Sequence, residues 1–465
     1  MNIESNWDRL SSTVHRAEEK LGRMNIALAE AFYTNYETTE VSIRNSEILT
    51  QDRLQDSGVG FRVVLHGNKI GFACTNSLNE RNISETASKA FSIANAGPKT
   101  PMFALPDSQK PTSVYGLYDS RVEEMSLEDS VEIAAQAIEA AERVDNRVTV
   151  KDGRVIFTYG HRGILNTIGV DREERETRAV IYLAASGKHN DEVTSICYAF
   201  DFTRRANLQP QQIGEKAARR AIAMFEPKAI RTFNGPVIFG PEAVSNQLFD
   251  VLIDALSADN VRSGHSAWSE KLGQSVASGN LTVIDDAILE GGFGSRSFDD
   301  EGCPSKKTCL IQDGKLESLL HHATSAKSLG AENTGNASRS SGELDIVGMI
   351  AGRGYKTQPE IYPSNLMIQP GTETRNDMVE DMKQGVLIDS MAGFAQKGSG
   401  VISAQLSRAF HVENGEIQFP IKGSMVMGVG FDWLKKISSV SRETERFQNA
   451  ILPCLQVEDV KVVGS

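Results

Sequence analysis

Two groups of adjacent carboxylates are the residues in this sequence with the clearest capacity for chemistry. They are Asp285–Asp286 and Asp299–Asp300–Glu301. Neighbouring acids of this kind can act in acid–base catalysis or supply oxygen ligands to calcium. The second group precedes Gly302 and Pro304, so it is equally typical of a turn in which Asp side chains accept hydrogen bonds from backbone N–H groups. The residues alone leave both interpretations open.

The histidines do not form a recognisable metal-binding pattern. Zinc sites need several imidazole, thiolate or carboxylate groups that converge, commonly with two on one helical face. The sequence contains eight histidines but no H-E-x-x-H segment, and His321 and His322 are adjacent. Adjacent side chains of a strand point to opposite faces, so these two histidines are expected to have structural or surface roles.

The common nucleophile and phosphate-binding motifs are also missing from the sequence. It contains neither a G-x-S-x-G elbow nor a G-x-x-x-x-G-K-[ST] loop. Gly291–Gly294 has the glycine density of a phosphate-binding loop, but it lacks the lysine and the spacing. A turn is the better interpretation of this segment.

Composition excludes several classes of protein. The chain has 465 residues, a formal net charge of -12, 40% hydrophobic residues and 24% charged residues. The length suggests two or three domains, and the acidic balance argues against a nucleic-acid-binding face, which needs clustered Lys and Arg. No apolar run approaches the roughly 18 residues of a membrane span, and we expect no secretory signal because the N-terminus lacks its basic and apolar regions.

The cysteines favour a reducing compartment. There are five, they are widely spaced, and none forms a C-x-x-C pair. An odd, scattered set argues against a disulfide framework. The sequence therefore predicts a cytoplasmic protein.

The order of the predicted elements indicates an α+β fold. Apolar residues at helical spacing predict helices near residues 5–24, 84–96, 126–144 and 210–224, and residues 148–159 and 178–185 have strand character. Two β-rich runs flank the His66–Gly67–Asn68 turn and predict a hairpin. Because helices and strands occur in blocks, an antiparallel sheet is favoured over a doubly wound parallel sheet.

A polar segment from Glu226 to Pro236 is the predicted domain boundary. We expect an N-terminal α+β domain with an antiparallel sheet over residues 1–228. Residues 236–465, with short strands joined by glycine turns, are expected to form a β-rich, barrel-like domain. This second domain is predicted to begin with a strand at Val237–Gly240 and a helix at Glu242–Ala258.

Four segments of the C-terminal half resemble the TldD/PmbA family, formerly called modulators of DNA gyrase. Phe298–Pro304 contains D-D-E-G-x-P, and Thr334–Arg339 contains T-G-N-x-x-R. The remaining two segments are Glu413–Ser424 and Leu452–Gly464. Their order and spacing make the match fairly specific over this half of the chain, whereas the N-terminal half is similar in general layout.

TldD-type members of this family resemble zinc peptidases with a His-Glu-x-x-x-His helix and a cysteine ligand near the C-terminus. In such a site the metal activates water and the glutamate acts as general base. By the resemblance, Phe249, Asp250 and Asp254 stand where the first His, the Glu and the second His belong. Cys454 directly follows Pro453 and is not expected to be the cysteine ligand. The resemblance thus implies a degenerate site with no catalytic residue and no metal in this chain.

These departures are similar to the PmbA (TldE) branch of the family. The resemblance implies a non-catalytic subunit of a cytoplasmic metalloprotease that acts on peptides or unfolded proteins. Its partner would be a TldD-type subunit that carries the zinc, or a second copy of this chain. The shared segments are expected to shape the fold or the subunit interface, with peptide binding as the other role; their candidate residues are Asp299, Asp300, Glu301, Gly335, Asn336 and Arg339.

Two other functions remain open. The chain could be an independent, homodimeric hydrolase that uses Asp250, Asp254, His265 or the Asp299 group. It could instead be a modulator that binds a partner protein, such as a topoisomerase. Neither alternative requires contact with nucleic acid or membrane. Of the shared residues, Arg339 is the one that could bind a peptide carboxylate or carbonyl group.

Overall fold

The computed structural model describes residues 3–339 and 353–464, which form a long antiparallel sheet, its covering helices and a β-barrel. The helices are α1 (Ile3–Gly22), α2 (Glu80–Ala96), α3 (Ser120–Glu123), α4 (Leu127–Val144), α5 (Pro210–Ile222), α6 (Pro241–Ala243), α7 (Phe249–Leu256), α8 (Ala258–Arg262) and α9 (Ala323–Leu329), followed by two short helices at Arg375–Glu380 and Gly430–Lys435. A π-helical turn covers Val244–Leu248, and a 3-10 turn covers Arg353–Lys356.

The strands of the N-terminal half are β1 (Leu28–Arg44), β2 (Glu47–Leu65), β3 (Lys69–Thr75), β4 (Val148–Asn166), β5 (Asp171–His189), β6 (Glu192–Val193) and β7 (Cys197–Thr203). Those of the C-terminal half are β8 (Phe233–Phe239), β9 (Val283–Asp286), β10 (Lys307–Gln312), β11 (Lys315–Leu316), β12 (Ala337–Ser338), β13 (Glu360–Ile361), β14 (Leu366–Ile368), β15 (Gln384–Ala395), β16 (Val401–Glu413), β17 (Glu416–Pro420), β18 (Met425–Val429), β19 (Ile437–Phe447) and β20 (Ala450–Val463).

The N-terminal sheet has the order β3–β2–β1–β4–β5, and β6 and β7 also pair with β5. All these pairs are antiparallel. Four of its strands are 17 to 19 residues long, which corresponds to about 60 Å. The sheet is therefore long enough to support two separate groups of helices.

One face of this sheet packs against helices. Helices α1 and α2 share a buried core with Tyr33 at one end of β1, and α4 and α5 share a second core with Val41 at the other end. Tyr33 and Val41 are an even number of residues apart, so both lie on the same face of the strand. Helix α4 begins at Ser126, whose side chain and that of Asp129 form a reciprocal capping box.

The opposite face of the sheet is covered by the C-terminal half of the chain. Phe32 of β1 shares a core with Phe298 and Tyr355, and Ile156 of β4 shares another with Phe293. The two halves are thus joined through the buried face of one sheet. Two of the four segments that carry the family resemblance, Phe298–Pro304 and Thr334–Arg339, lie at this junction.

The C-terminal half contains a closed five-stranded barrel with the order β8–β15–β16–β18–β20, in which β20 pairs back to β8. Only the β8–β15 pair of this ring is parallel. The largest apolar core combines barrel residues such as Phe239 and Ile388 with Leu252 of α7. The predicted α+β fold with a β-rich, barrel-like C-terminal part is confirmed.

Strand β5 is longer than the sequence predicted, because it begins at Asp171 rather than near Arg178. Residues 171–178 are mostly charged and give no apolar signal for a strand. Several of these charges are nevertheless buried by opposite partners, as in the pair of Arg162 and Glu174 at 2.7 Å. A search for apolar alternation cannot detect a strand whose buried residues are ion-paired.

The predicted helix from Glu242 to Ala258 is interrupted in the structure. Helix α6 ends at Ala243, the π-helical turn follows, and α7 begins at Phe249. Single π-helical turns inside helices frequently mark functional sites. Here the turn directly precedes Phe249, the first of the three residues that the family resemblance aligns with the zinc-binding motif.

Candidate functional site

Helix α7 carries Phe249, Asp250 and Asp254, the three residues that the family resemblance aligns with the zinc-binding motif. Phe249 is buried in the apolar core of the C-terminal half, with an exposed fraction of 6%. Asp250 is exposed and Asp254 is half-buried. Since positions four residues apart share one face of a helix, both carboxylates lie on the same side of α7.

Both oxygens of Asp254 are already engaged by the surrounding chain. Oδ2 accepts a hydrogen bond from the backbone N–H of Gly398 at 2.7 Å. Oδ1 accepts one from the Asn260 side-chain amide at 2.9 Å. Asp254 therefore fastens the turn between β15 and β16 to the end of α7.

The residues present do not fit a catalytic zinc ion. Phe249 has no ligand atom, and Asp254 uses its oxygens for the contacts above. Within residues 3–339 and 353–464, no three His, Cys, Asp or Glu side chains come together as a metal-binding group. Cys454 is buried in β20, where it is 3% exposed, and burial raises the pKa of its thiol to about 11.

Other polar groups surround the same turn. The surrounding chain partly desolvates the Asp250 carboxyl, although the residue reaches solvent, and this raises its pKa; the negative charge of Asp254 adds to the rise while Lys397 opposes it. His265 bonds through Nδ1 to the Ser263 hydroxyl at 3.0 Å, and its carbonyl oxygen would lie 3.2 Å from a Cβ atom placed on Gly398. The structure thus gathers Asp250, Asp254 and His265 around one turn, together with Lys397, which the sequence analysis did not identify.

The acidic segment at residues 299–301 forms a turn, as one of the two sequence interpretations predicted. Oδ1 of Asp299 accepts hydrogen bonds from the backbone N–H groups of Glu301 at 3.0 Å and Cys303 at 2.8 Å. Oδ2 accepts a third from the N–H of Ala337 at 3.1 Å. Burial and the neighbouring Glu301 charge raise the pKa of Asp299 to about 7. This turn therefore holds the D-D-E-G and T-G-N-x-x-R segments together.

A buried ion network connects this turn to the N-terminal sheet. Arg162 of β4 contacts Glu174 at 2.7 Å and Asp300 at 2.6 Å. Arg62 of β2 contacts Glu301 at 2.8 Å. Each of these five side chains thus has a partner of opposite charge away from water, which is the condition for burying charge. Arg62 and Arg162 were missed by the sequence analysis because isolated charges in strands carry no motif.

Arg339 belongs to the same network. Its guanidinium contacts Glu30 and donates a hydrogen bond to the carbonyl oxygen of Thr357 at 2.6 Å, and the side chain has an exposed fraction of 0%. Glu30 also pairs with Arg62 at 2.8 Å. As the structure places it, the guanidinium of Arg339 faces other buried groups of the chain rather than solvent.

Gly335 and Asn336 lie in a turn whose contacts extend the junction to Asp285 and Tyr362. Gly335 has a positive φ of 74°, a conformation that glycine adopts without steric cost. The side-chain amide of Asn336 donates to Asp285 Oδ2 at 2.6 Å and to the carbonyl oxygen of Tyr362 at 3.2 Å. Burial raises the pKa of Asp285 to about 6. All six residues nominated from the shared segments therefore lie in one region of the fold; their assigned roles in peptide binding or subunit contact stay predictions.

The glycine-rich segment at residues 291–294 forms turns, as predicted. Arg204, which is 1% exposed, donates hydrogen bonds to the carbonyl oxygens of Gly292 at 2.8 Å and Phe293 at 2.9 Å. A Cβ atom on Gly294 would lie 1.9 Å from the carbonyl oxygen of Ser364. The glycines thus allow close packing against the backbone.

His322 has a structural role, as expected, but for a different reason. His321 and His322 precede α9 and do not belong to a strand. His322 is the N-cap residue of α9; its Nδ1 accepts the backbone N–H of Ser325 at 3.0 Å, while Nε2 lies 3.1 Å from Asp259. The structural role of His322 thus comes from helix capping and not from its position in a strand.

Comparisons with models of known protein families agree with the family resemblance seen in the sequence. The model of the PmbA/TldA metallopeptidase C-terminal domain matches residues 232–464, domain 1 of the same family matches residues 29–94, and the central domain matches residues 120–225. No helix within the described ranges is long and apolar enough to cross a membrane.

Individual relatives match over most of their length. The chain is 27% identical to metalloprotease PmbA of Escherichia coli O157:H7 over 91% of this chain and 89% of that protein. It is 26% identical to a metalloprotease of Methanocaldococcus jannaschii over 88% of each. The crystal structure of TldE from Thermococcus kodakarensis has the same fold, with a TM-score of 0.86, 23% identity and coverage of 97% of this chain and 100% of that one. The chain therefore belongs to the PmbA/TldD metallopeptidase family.

Proposed function

We propose that this chain is a metal-free, PmbA/TldE-type subunit of a cytoplasmic metalloprotease that acts on peptides or unfolded proteins, with the zinc carried by a TldD-type partner. The proposal rests on the burial of Phe249 and on the hydrogen bonds of Asp254, both in α7. Phe249 is buried in the core and both oxygens of Asp254 bind neighbouring groups. The position that would hold zinc in a TldD-type subunit serves here to fix a turn.

The N-terminal sheet supports a role in binding an extended chain. Strand β3 pairs only with Val59–Leu65 of β2, so in the described part of the chain the segment Glu47–Asp56 is an edge with no strand on its outer side. Leu49 and Leu54 of this edge are exposed by 54% and 41%. A free edge offers backbone donors and acceptors to a peptide or to a partner strand, independently of sequence.

The buried ion network supports a role in assembly rather than in chemistry. Charges in the interior are costly unless their geometry is held by several partners. The network ties the shared D-D-E-G turn to β2 and β4, and so fixes how the N-terminal sheet meets the C-terminal half. A subunit that completes a cavity wall requires this kind of fixed relation between its two halves.

Reconstitution with a TldD-type subunit from the same organism tests the proposal. We expect the two chains to form a complex in size-exclusion chromatography with light scattering. We expect an unstructured peptide to be cleaved by the mixture and not by this chain alone. If the chains neither associate nor change the cleavage rate of the partner, the proposal fails.

An independent hydrolase is the second candidate, because Asp250, Asp254, His265 and Lys397 lie around one turn. Under that alternative the purified chain alone would hydrolyse peptides. Asp250→Asn would abolish the activity while leaving the fold intact, since Asp250 is exposed. Exposed Asp107 offers the matched control, Asp107→Asn, at a distance from this turn along the chain.

A further inference from the structure

A cleft of about 540 Å³ lies between helix α5 and the barrel. Its walls come from α5, from the short helix at Arg375–Glu380 and from strands β15, β16 and β17. This volume is within the range of about 300–1,000 Å³ that is typical of small-molecule sites. The cleft is separate from α7 and from the buried ion network described above.

Positive charge predominates in the walls of the cleft. Five cations line it: Lys216, Arg219, Arg220, Arg375 and Arg408. Only two acids, Glu215 and Asp389, are among the lining residues. This excess occurs in a chain whose net charge is -12, so the cleft differs in sign from the protein as a whole.

Nearby carboxylates neutralise part of this charge. Glu242 contacts Arg408 at 2.9 Å and Arg220 at 3.4 Å. Glu445 contacts Lys216 at 3.0 Å and Arg220 at 3.3 Å. Glu242 and Glu445, together with the two acids of the wall, give four negative charges beside the five cations. The cleft and its immediate surroundings therefore keep one net positive charge.

Two arginines keep hydrogen-bonding capacity. Arg408 is 3% exposed, and its Nε lies 3.5 Å from Asp389 without forming a hydrogen bond to any described residue. A buried donor without an acceptor costs free energy. The Arg219 side chain is 70% exposed and reaches Glu215 only at 3.6 Å. An acceptor group that enters the cleft would find the accessible donors of Arg219 at its rim, and the positive charge of Arg408 below its floor.

We propose that this cleft binds a small organic oxyanion, a molecule that carries carboxylate or phosphate groups on a partly apolar body. Arginine forks recognise both kinds of group through paired N–H donors. Ala223, Phe410 and Ile417 supply apolar wall area for the body of the molecule. The bound anion supplies the negative charge that the cleft lacks.

Binding would also couple the two halves of the chain. Arg219 and Arg220 belong to α5 of the N-terminal half, whereas Arg375 and Arg408 belong to the C-terminal half. A ligand that binds only the folded state raises its stability by mass action. The oxyanion is therefore expected to increase the melting temperature of the whole chain.

Calorimetric titration with pyrophosphate and, separately, with citrate tests this inference. The purified full chain is titrated to about 10 mM ligand. Arg219→Glu reverses the charge at the rim of the cleft and should weaken binding by about tenfold or more. Arg143→Glu is the matched control, because Arg143 is also an exposed arginine on a helix with an i,i+4 glutamate partner.

The outcomes distinguish a phosphate ligand from a carboxylate ligand. Saturable binding of pyrophosphate alone assigns a phosphate ligand, binding of citrate alone assigns a carboxylate ligand, and binding of both supports the shared chemistry. Thermal unfolding provides a second measurement, since either bound anion should raise the melting temperature of the wild type and of Arg143→Glu by more than that of Arg219→Glu at the same anion concentration. Absence of saturable binding by both anions, or equal affinity in Arg219→Glu and wild type, overturns the proposal.

Discussion

The carboxylate of Asp254 accepts a hydrogen bond from the backbone N–H of Gly398 at 2.7 Å. This contact joins α7 to the turn between β15 and β16, while Asn260 occupies the other oxygen. By the family resemblance, Asp254 stands where a TldD-type subunit has its second His. The contact gives the carboxylate at this position a structural role, which is to hold the backbone of the turn.

Replacement of Asp254 should reduce stability rather than remove an activity. Asp254→Ala loses both hydrogen bonds and leaves the Gly398 N–H without its partner, so we expect the free energy of unfolding to fall by about 1–3 kcal/mol. Urea denaturation measures this change. Exposed Asp107→Ala is the control and should shift the midpoint little. Equal stability of Asp254→Ala and wild type would contradict the structural role of Asp254.

The contacts of Arg162 in the buried ion network predict a larger loss of stability for its replacement than for Asp254→Ala. Arg162→Met leaves Glu174 and Asp300 without their shared cation, and removal of one partner of a buried ion network costs about 3–5 kcal/mol. Arg81→Met, at an exposed arginine of α2, is the control and should leave stability almost unchanged, because exposed ion pairs contribute little. Combination of Arg162→Met with Glu174→Gln should recover part of the loss. If the double variant is no more stable than the single one, the pairing is not the source of the effect.

The environment of Asp285 predicts a dependence of stability on pH. Burial raises the pKa of this carboxyl to about 6 in the folded state, so the folded protein binds a proton that the unfolded chain releases. The resulting stabilisation is complete below the ordinary Asp pKa of about 3.9 and is lost as the pH rises through about 6. We expect this contribution to amount to about 1–3 kcal/mol.

Asp285→Asn is the variant that isolates this contribution. The amide cannot titrate, so the difference in unfolding free energy between wild type and variant should change between pH 4 and pH 6, in roughly the range given above. Chemical denaturation at a series of pH values measures it. A constant difference across this range would show that Asp285 does not bind the proton.

The contribution of His322 to stability through helix capping can be measured apart from the contribution of its contact with Asp259. His322→Ala removes the acceptor for the N–H of Ser325 and should destabilise the protein by about 1 kcal/mol. His322→Asn restores a side-chain acceptor at the N-cap position, and should recover most of the stability although it loses the contact with Asp259. Failure of the asparagine to rescue would assign the stabilisation to Asp259 instead.

The free edge of β2 provides a test of chain binding. Neighbouring residues of a strand direct their N–H groups to opposite sides, so one of Gln51 and Asp52 donates toward β1 and the other toward the open edge. We therefore compare Gln51→Pro with Asp52→Pro. The outward-facing proline should preserve the melting temperature and weaken association with a peptide or a TldD-type subunit, whereas the inward-facing one should lower the melting temperature. If the variant of unchanged stability also keeps full association, the edge is not a binding site.

The sequence predicted the fold class well because its local signals agree with the tertiary structure. The helix predicted near residues 126–144 and the hairpin turn at Gly67 each appear where the sequence pattern placed them. The start of β5 was not predictable in this way, since its buried charges depend on partners in other strands, as Glu174 does on Arg162 of β4. Arg62 of β2 was not predictable for a similar reason, because its partner Glu301 is 239 residues distant along the chain.

The candidate site was predicted only in part. Family resemblance identified Phe249, Asp250 and Asp254, but their local contacts depend on Gly398 and Asn260, which no motif connects to them. The basic cleft has no sequence signature at all, because Arg219, Arg375 and Arg408 come from separate elements. Such sites arise from tertiary packing, and a single sequence does not encode them as a pattern.

The zinc content of the purified chain tests the central claim most directly. The protein is prepared without affinity-tag histidines, dialysed against metal-free buffer and measured by inductively coupled plasma mass spectrometry beside a TldD-type subunit treated identically. We predict a zinc content near zero for this chain and about one zinc per chain for the TldD-type subunit. About one tightly held zinc per molecule of this chain would contradict the account.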